Sequence, residues 1–104
     1  MFEADVFRAL GDPTRRAVYE RLTSGERSVT ELRAGLPISQ PAVSQHLAAL
    51  KAAGLVAERR DGRKTYYRIQ PEGLSPLIAW LGRYRAFWPT RIGRLTEILK
   101  EMDQ

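Results

Sequence analysis

Residues 38–56, ISQPAVSQHLAALKAAGLV, constrain the chain more than any other stretch. Ser39 is a suitable N-cap for a helix, and Pro41 falls in the first turn, where a missing N–H costs nothing. Gly54 stands just beyond the last periodic residue, a common place for a left-handed exit. Between these ends Val43, Leu47 and Leu50 recur four and three residues apart as one narrow apolar stripe. The other face carries Gln40, Ser44, Gln45, Ala48 and Lys51, with no Asp or Glu among them. A solvated helix face ordinarily mixes both signs, because Glu and Lys support each other one turn apart. Amides, a hydroxyl and a cation without a carboxylate suit an anionic surface that offers donors and acceptors. The major groove of DNA is such a surface: Gln pairs with adenine edges, Ser with either strand, Lys with guanine or phosphate. A polar surface helix that merely lacks acids carries the same residues, so the neighbouring segments must decide.

The whole chain leans the same way. Among 104 residues, 17 Lys and Arg stand against 12 Asp and Glu, a formal charge of +5. Such a balance favours nucleic acid, or less often an acidic membrane surface, as a partner. The length fits a single domain, 1–104, with a modest core. There is no cysteine, which excludes disulfides, thiolate metal sites and a cysteine nucleophile. No apolar run approaches the ~18 residues of a membrane span, and the opening MFEADVFRAL lacks the basic-then-apolar layout of a secretory signal. A cytoplasmic protein without a membrane partner is the expectation.

Ahead of the central stretch, Phe2, Val6, Phe7 and Leu10 give residues 1–10 a helical stripe that Gly11-Asp12-Pro13 stops. Asp12 or Thr14 caps the next helix, residues 13–23, with Ala17, Val18 and Leu22 inward and Tyr19 flanking. Val29 reads as a stub of strand before a third helix whose cap is Ser28 or Thr30; Ser28 with Glu31 has capping-box spacing. Leu32 and Leu36 are its buried pair, and Leu36-Pro37 bends tightly into the central helix. Two short helices joined by so brief a turn form a helix-turn-helix.

After Gly54 the apolar period changes to two. Residues 55–60 and 64–69 are strand-like, and Asp61-Gly62 between them is a strong hairpin signal. A two-residue loop there sets Arg60 opposite Arg63, Arg59 opposite Lys64, Glu58 opposite Thr65 and Val56 opposite Tyr67. Like charges directly opposed are destabilising, so their concentration at a hairpin tip calls for a nearby phosphate backbone. Residues 70–104 are helical, with Pro71 and Pro76 at helix starts and Ser75 as a cap. Apolar residues at 74, 77, 81, 84, 88, 92, 95, 99 and 102 form a stripe widened by Ile78, Trp80, Phe87 and Ile98. Pro89 should kink or split this helix near residues 85–88. The stripe exceeds what so small a domain can cover and marks a partner helix. A homodimer is expected through Phe2, Val6, Leu10, Leu81, Tyr84, Trp88, Ile92, Leu95 and Leu99, with Trp80 and Leu77 folding back on their own core. The fold class is mainly α with a small β-hairpin wing, a winged helix-turn-helix dimeric through its terminal helices. Residues 7–69 form the DNA-binding core, and 1–10 and 71–102 the dimerisation helices.

The segments FRALGDPTRRAVYERL and SVTELRAGLPISQPAVSQHLAALKAAGLVAERRDGRKTYYRI resemble the arsenic-repressor (ArsR) family of bacterial winged-helix transcriptional regulators over residues 7–69. The resemblance implies a homodimer, a recognition helix in the major groove, wings over the flanking minor groove, and repression of a promoter. Carried over by position, Gln40, Ser44, Gln45 and His46 face DNA, and Arg60, Arg63 and Lys64 match the wing. With Ser39, Lys51 and Arg59 from the reading above, these are the candidate DNA-binding residues. His46 lies at the edge of the stripe, where it touches phosphate or braces the turn. Arg15 and Arg16 match no firm position; phosphate contact and intersubunit pairing are both open.

The departure from the family pattern lies in sensing. Many members bind metal through cysteines, or through Asp, Glu and His on the terminal helix. This chain has no cysteine and one histidine, and its terminal helix offers Glu97, Glu101 and Asp103 without a nitrogen ligand. Transition-metal sites are normally built with imidazole or thiolate. It resembles the metal-independent branch: no cofactor is expected, and a small-molecule or protein effector, or none, remains open. An enzyme is not expected, because Ser39 and Ser44 would share with His46 an exposed helix lacking a pocket and an orienting carboxylate. Double-stranded DNA is the expected partner.

Overall fold

The computed structural model describes residues 2–87. Helix α1 (Phe2–Gly11) is followed by α2 (Pro13–Arg21), a short strand β1 (Arg27–Ser28), α3 (Val29–Arg33) and α4 (Gln40–Ala52). The hairpin β2 (Val56–Asp61) and β3 (Lys64–Ile69) comes next, then a 3-10 turn (Pro71–Leu74), α5 (Ser75–Arg83) and a second 3-10 turn (Arg85–Phe87). No helix among the described residues is long and apolar enough to cross a membrane.

Local chemistry explains where α2, α3 and α4 start. Asp12 caps α2, its Oδ1 accepting from the Arg15 backbone N–H at 3.0 Å, with Pro13 in the first turn. Ser28 and Glu31 form a complete capping box: Ser28 Oγ accepts from Glu31 N–H at 3.2 Å and Glu31 Oε1 from Ser28 N–H at 3.0 Å. The strand stub is therefore Arg27–Ser28, and Val29 opens the helix rather than belonging to the strand. Ser39 caps α4 through Ala42 N–H at 3.2 Å, and Gly54 leaves it with φ +78°. Arg21 closes the turn between α3 and α4 by donating to the Ala34 carbonyl at 2.6 Å.

The core gathers Val6, Ala9, Val18, Tyr19, Leu22, Leu32, Val43, Leu47, Leu50, Leu55 and Val56. Tyr19 is buried rather than flanking, while Ala17 and Leu36 are half-buried. Leu74 and Leu77 pack against this core, and Trp80 meets Phe7 edge-on with ring centroids 5.2 Å apart. The fold-back expected of Leu77 and Trp80 is thus present.

Strand β3 lies in the middle of a three-stranded antiparallel sheet ordered β1-β3-β2. The hairpin register differs from the sequence expectation by two residues. Asp61 pairs with Lys64, Arg60 with Thr65, Arg59 with Tyr66, Glu58 with Tyr67 and Val56 with Ile69. The loop is Gly62-Arg63, and Gly62 has φ +64°. A loop at Asp61-Gly62 would call for positive φ at both central residues, whereas one that begins with Gly needs it only there. A shift of two keeps every side chain on its face and sets buried Val56 against Ile69. It also removes the like-charge pairs at the tip, so that part of the case for a nearby phosphate backbone falls away.

The C-terminal segment is seated by a close backbone approach. Gln70 N–H donates to the Leu55 carbonyl at 2.9 Å, and a Cβ added at Gly73 would lie 2.1 Å from the Gly54 carbonyl oxygen. Ser75 does not cap α5; it is the first helical residue, and its hydroxyl donates back to the Glu72 carbonyl. The helix ends at Arg83 with Tyr84 as C-cap, a break just ahead of the region expected to kink.

Val6, expected at the dimer interface, belongs instead to the core. Val6 is 1% exposed, because the face of α1 that carries Val6 and Ala9 points into the protomer's own core. It has no surface left to offer a partner. Leu10 is half-buried against the same core, whereas Leu81 is 54% and Tyr84 41% exposed. Phe2 begins α1. Trp88, Ile92, Leu95 and Leu99 lie outside the described residues.

Candidate nucleic-acid interface

Helix α4 buries Val43, Leu47 and Leu50 completely, which turns Gln40, Ser44, Gln45 and Lys51 outward, all exposed. Its first turn carries no acid, so the positive end of the helix dipole is left uncompensated by its own side chains. Ser39 is exposed, and its hydroxyl is committed to the cap.

The N-terminal end of α4 and the wing meet across a cleft of about 160 Å³ lined by Ser28, Val29, Thr30, Gln40, Arg63, Lys64 and Thr65. An amide, two cations and three hydroxyls thus share one concavity, a donor-rich setting for phosphate oxygens or base edges. Arg60, Arg63 and Lys64 are exposed and form no salt bridge within the described residues.

The other two predicted cations are engaged. Lys51 Nζ lies 2.5 Å from Glu58 Oε1, and Arg59 donates to Glu26 at 2.6 Å while stacking 4.8 Å over the Tyr66 ring. The hydrogen bond from Lys51, and after it the one from Tyr67, holds the Glu58 carboxyl below its usual value; Arg59 does the same for Glu26.

His46 is half-buried, and its Nδ1 is buried without a hydrogen-bond partner. Asp12 lies near it: the carboxyl is held low chiefly by the Arg15 backbone N–H, and to a smaller degree by His46. Arg15 and Arg16 turn toward α1, donating to the carbonyls of Arg8 at 3.5 Å and Leu10 at 2.8 Å. They satisfy the open C-terminal end of that helix. Sequence spacing does not mark Glu26, Tyr66 or Tyr67 as part of the pairings around Lys51 and Arg59. The adjacent tyrosines on a charged strand were the available signal, but Glu26 stands 33 residues from Arg59 and nothing local announces the pairing. No group of three or more His, Cys, Asp or Glu suited to a metal ion occurs among the described residues.

A helix-turn-helix domain model matches residues 10–59. The HTH-type transcriptional regulator Rv2034 of Mycobacterium tuberculosis is 49% identical over 78 residues, spanning 75% of this chain and 73% of that protein. The transcriptional repressor SdpR of Bacillus subtilis is 34% identical over 77 residues, 74% of this chain and 86% of the repressor. Among solved structures, an ArsR family transcriptional regulator superposes with a TM-score of 0.74 at 33% identity, covering 85% of this chain and 91% of its own. These relatives are regulators of transcription, not enzymes. With a winged helix-turn-helix fold and this likeness over most of its length, the chain belongs to the ArsR family of DNA-binding transcriptional regulators.

Proposed function

We propose that the chain is a homodimeric repressor reading an inverted-repeat operator, with residues 7–69 as the DNA-binding core and 1–10 and 71–102 as dimerisation segments. The observation that carries this reading is the cleft where Gln40 of α4 stands beside Arg63 and Lys64 of the wing. One duplex laid against it meets base-reading and phosphate-binding groups together. Gln40, Ser44 and Gln45 face the major groove; Arg60, Arg63 and Lys64 follow the backbone; His46 contacts phosphate only by its exposed edge. Lys51 and Arg59, each paired with a carboxylate, hold the wing.

Pairing is supported by Ile78, Leu81, Tyr84 and Phe87, which are 64%, 54%, 41% and 77% exposed along one short stretch. An apolar surface of this kind on a soluble regulator calls for a second copy. Twofold pairing sets the two recognition helices about 34 Å apart, one turn of duplex, and occupancy of such a site at a promoter excludes polymerase. The donor set argues for a regulator without a resident transition metal, since the chain offers one histidine and no cysteine. A small molecule or a protein remains the class of effector that fits.

Footprinting the chain's own upstream DNA tests the reading: protection of an inverted repeat is expected. Gln40→Ala should relax base preference, by roughly 1–3 kcal/mol at one position of each half-site. Protection without any sequence preference would remove α4 from the role of reader.

A further inference from the structure

The hairpin that carries Arg60, Arg63 and Lys64 is held by more than its ladder. Glu58 on β2 accepts from Lys51 Nζ at 2.5 Å through Oε1, and from the Tyr67 hydroxyl at 3.1 Å through Oε2. One carboxylate thus ties the last turn of α4 to both strands of the hairpin. Arg59, the next residue along β2, projects to the opposite face of the sheet. There its guanidinium stacks 4.8 Å from the centroid of Tyr66 and donates to both oxygens of Glu26, at 2.6 and 3.3 Å, in the segment just before β1. The base of the hairpin is therefore braced on its two faces, to the recognition helix on one side and to the end of the α2–β1 loop on the other.

Charge alone gives these two acids the wrong sign. A carboxylate beside a duplex repels phosphate, yet a basic chain keeps both at the root of its cationic wing. Geometry supplies the reason. A two-stranded ribbon is by itself marginally stable. The tip at Gly62 lies four residues beyond Glu58, about 13 Å of strand, so a tilt of about 10° at the base carries the tip roughly 2 Å. Hydrogen bonds to fixed phosphates tolerate far less than that. Exposed ion pairs add little to stability, but fixing an angle needs only that one orientation be preferred over its neighbours.

We propose that Glu58 and Glu26 are positioning residues for DNA recognition: they fix the angle between α4 and the wing, raising binding to the matched site while opposing indiscriminate attraction to duplex. This rests on the reading that α4 and the wing contact one duplex. Removing either acid then weakens discrimination, although the chain becomes more basic.

The test uses the full chain and two short duplexes of equal length, one selected by the unsubstituted protein from a randomised pool, the other a scrambled sequence. Affinities are read by fluorescence anisotropy, and thermal melting confirms that each variant is folded. In Glu58→Gln and Glu26→Gln the ratio of matched to scrambled affinity falls roughly three- to tenfold, the worth of one or two hydrogen bonds, while scrambled duplex is bound as tightly as before or tighter. Tyr67→Phe keeps every charge and removes one hydrogen bond, so its fall in the ratio separates positioning from charge. The exchange Lys51→Glu with Glu58→Lys rebuilds the ion pair and returns the ratio toward its starting value; Glu58→Lys alone does not. The proposal is overturned if both glutamine variants tighten the two duplexes by the same factor and Tyr67→Phe leaves the ratio unchanged. Failure of the unsubstituted protein to discriminate any duplex would instead overturn the underlying reading of the interface.

Discussion

Arg63→Ala gives the sharpest check on where phosphate is bound. Arg60, Arg63 and Lys64 are exposed and free of salt bridges within the described residues, while Lys51 and Arg59 already hold carboxylates. Two wings in the proposed dimer would then neutralise about six phosphates, and log affinity should fall against log salt with a slope of about −5.4. Between 50 and 200 mM salt that slope is a loss of about 2,000-fold. Removing Arg63 from both protomers leaves about four contacts, a slope of about −3.6 and a loss of about 150-fold over the same range. Fluorescence anisotropy on a fixed duplex across a salt series reads both slopes directly. Lys51→Met is the contrasting variant: its cation already has a protein counter-charge, so few ions are released on binding and the slope should stay near that of the unsubstituted chain. If Lys51→Met shallows the slope while Arg63→Ala does not, the division between phosphate-binding and wing-holding cations is the wrong way round.

Three further outcomes follow from the packing and the caps. Gly73→Ala forces a Cβ to within 2.1 Å of the Gly54 carbonyl oxygen, backbone against backbone; urea unfolding should show a loss of roughly 2–4 kcal/mol. Leu81→Glu with Tyr84→Glu places charge on the exposed apolar stripe of α5 and should leave a folded monomer by sedimentation, with circular dichroism unchanged. The Asp12 and Glu31 carboxyls titrate below their ordinary values of 3.8 and 4.5, each lowered mainly by a backbone N–H bond at a helix start. Their contribution is therefore complete above those ordinary values and drains away as pH falls through the lower folded ones. The double variant Asp12→Asn with Glu31→Gln should accordingly lose less stability between neutral pH and the acid range than the unsubstituted chain; an equally steep acid loss would place the pH dependence elsewhere.

Much of this protein is written in local sequence, because the signals that set helix ends act over three or four residues. Ser39, Pro41 and Gly54 bound α4, and the spacing of Val43, Leu47 and Leu50 decides which of its faces is buried. Once that stripe is fixed, Gln40, Ser44 and Gln45 must point outward, so the face proposed to read DNA was legible from the chain alone. The hairpin was legible as well, but not its register. Asp61-Gly62 and Gly62-Arg63 loops are offset by one residue, which moves each cross-strand partner by two and preserves the same alternation, and only closure of the ladder, with Val56 on Ile69 and Asp61 on Lys64, selects between them. The fate of individual charges was not legible either. Arg15, Arg16, Lys51 and Arg59 look alike in sequence, yet two of them close the end of α1 and two hold carboxylates at the root of the wing. Val6 has the spacing of an interface residue and is core, because α1 lays that face on its own protomer. Periodicity reveals that a face is apolar; what covers it, and which acid meets which base, depends on elements brought together from distant parts of the chain, and that is decided by tertiary structure.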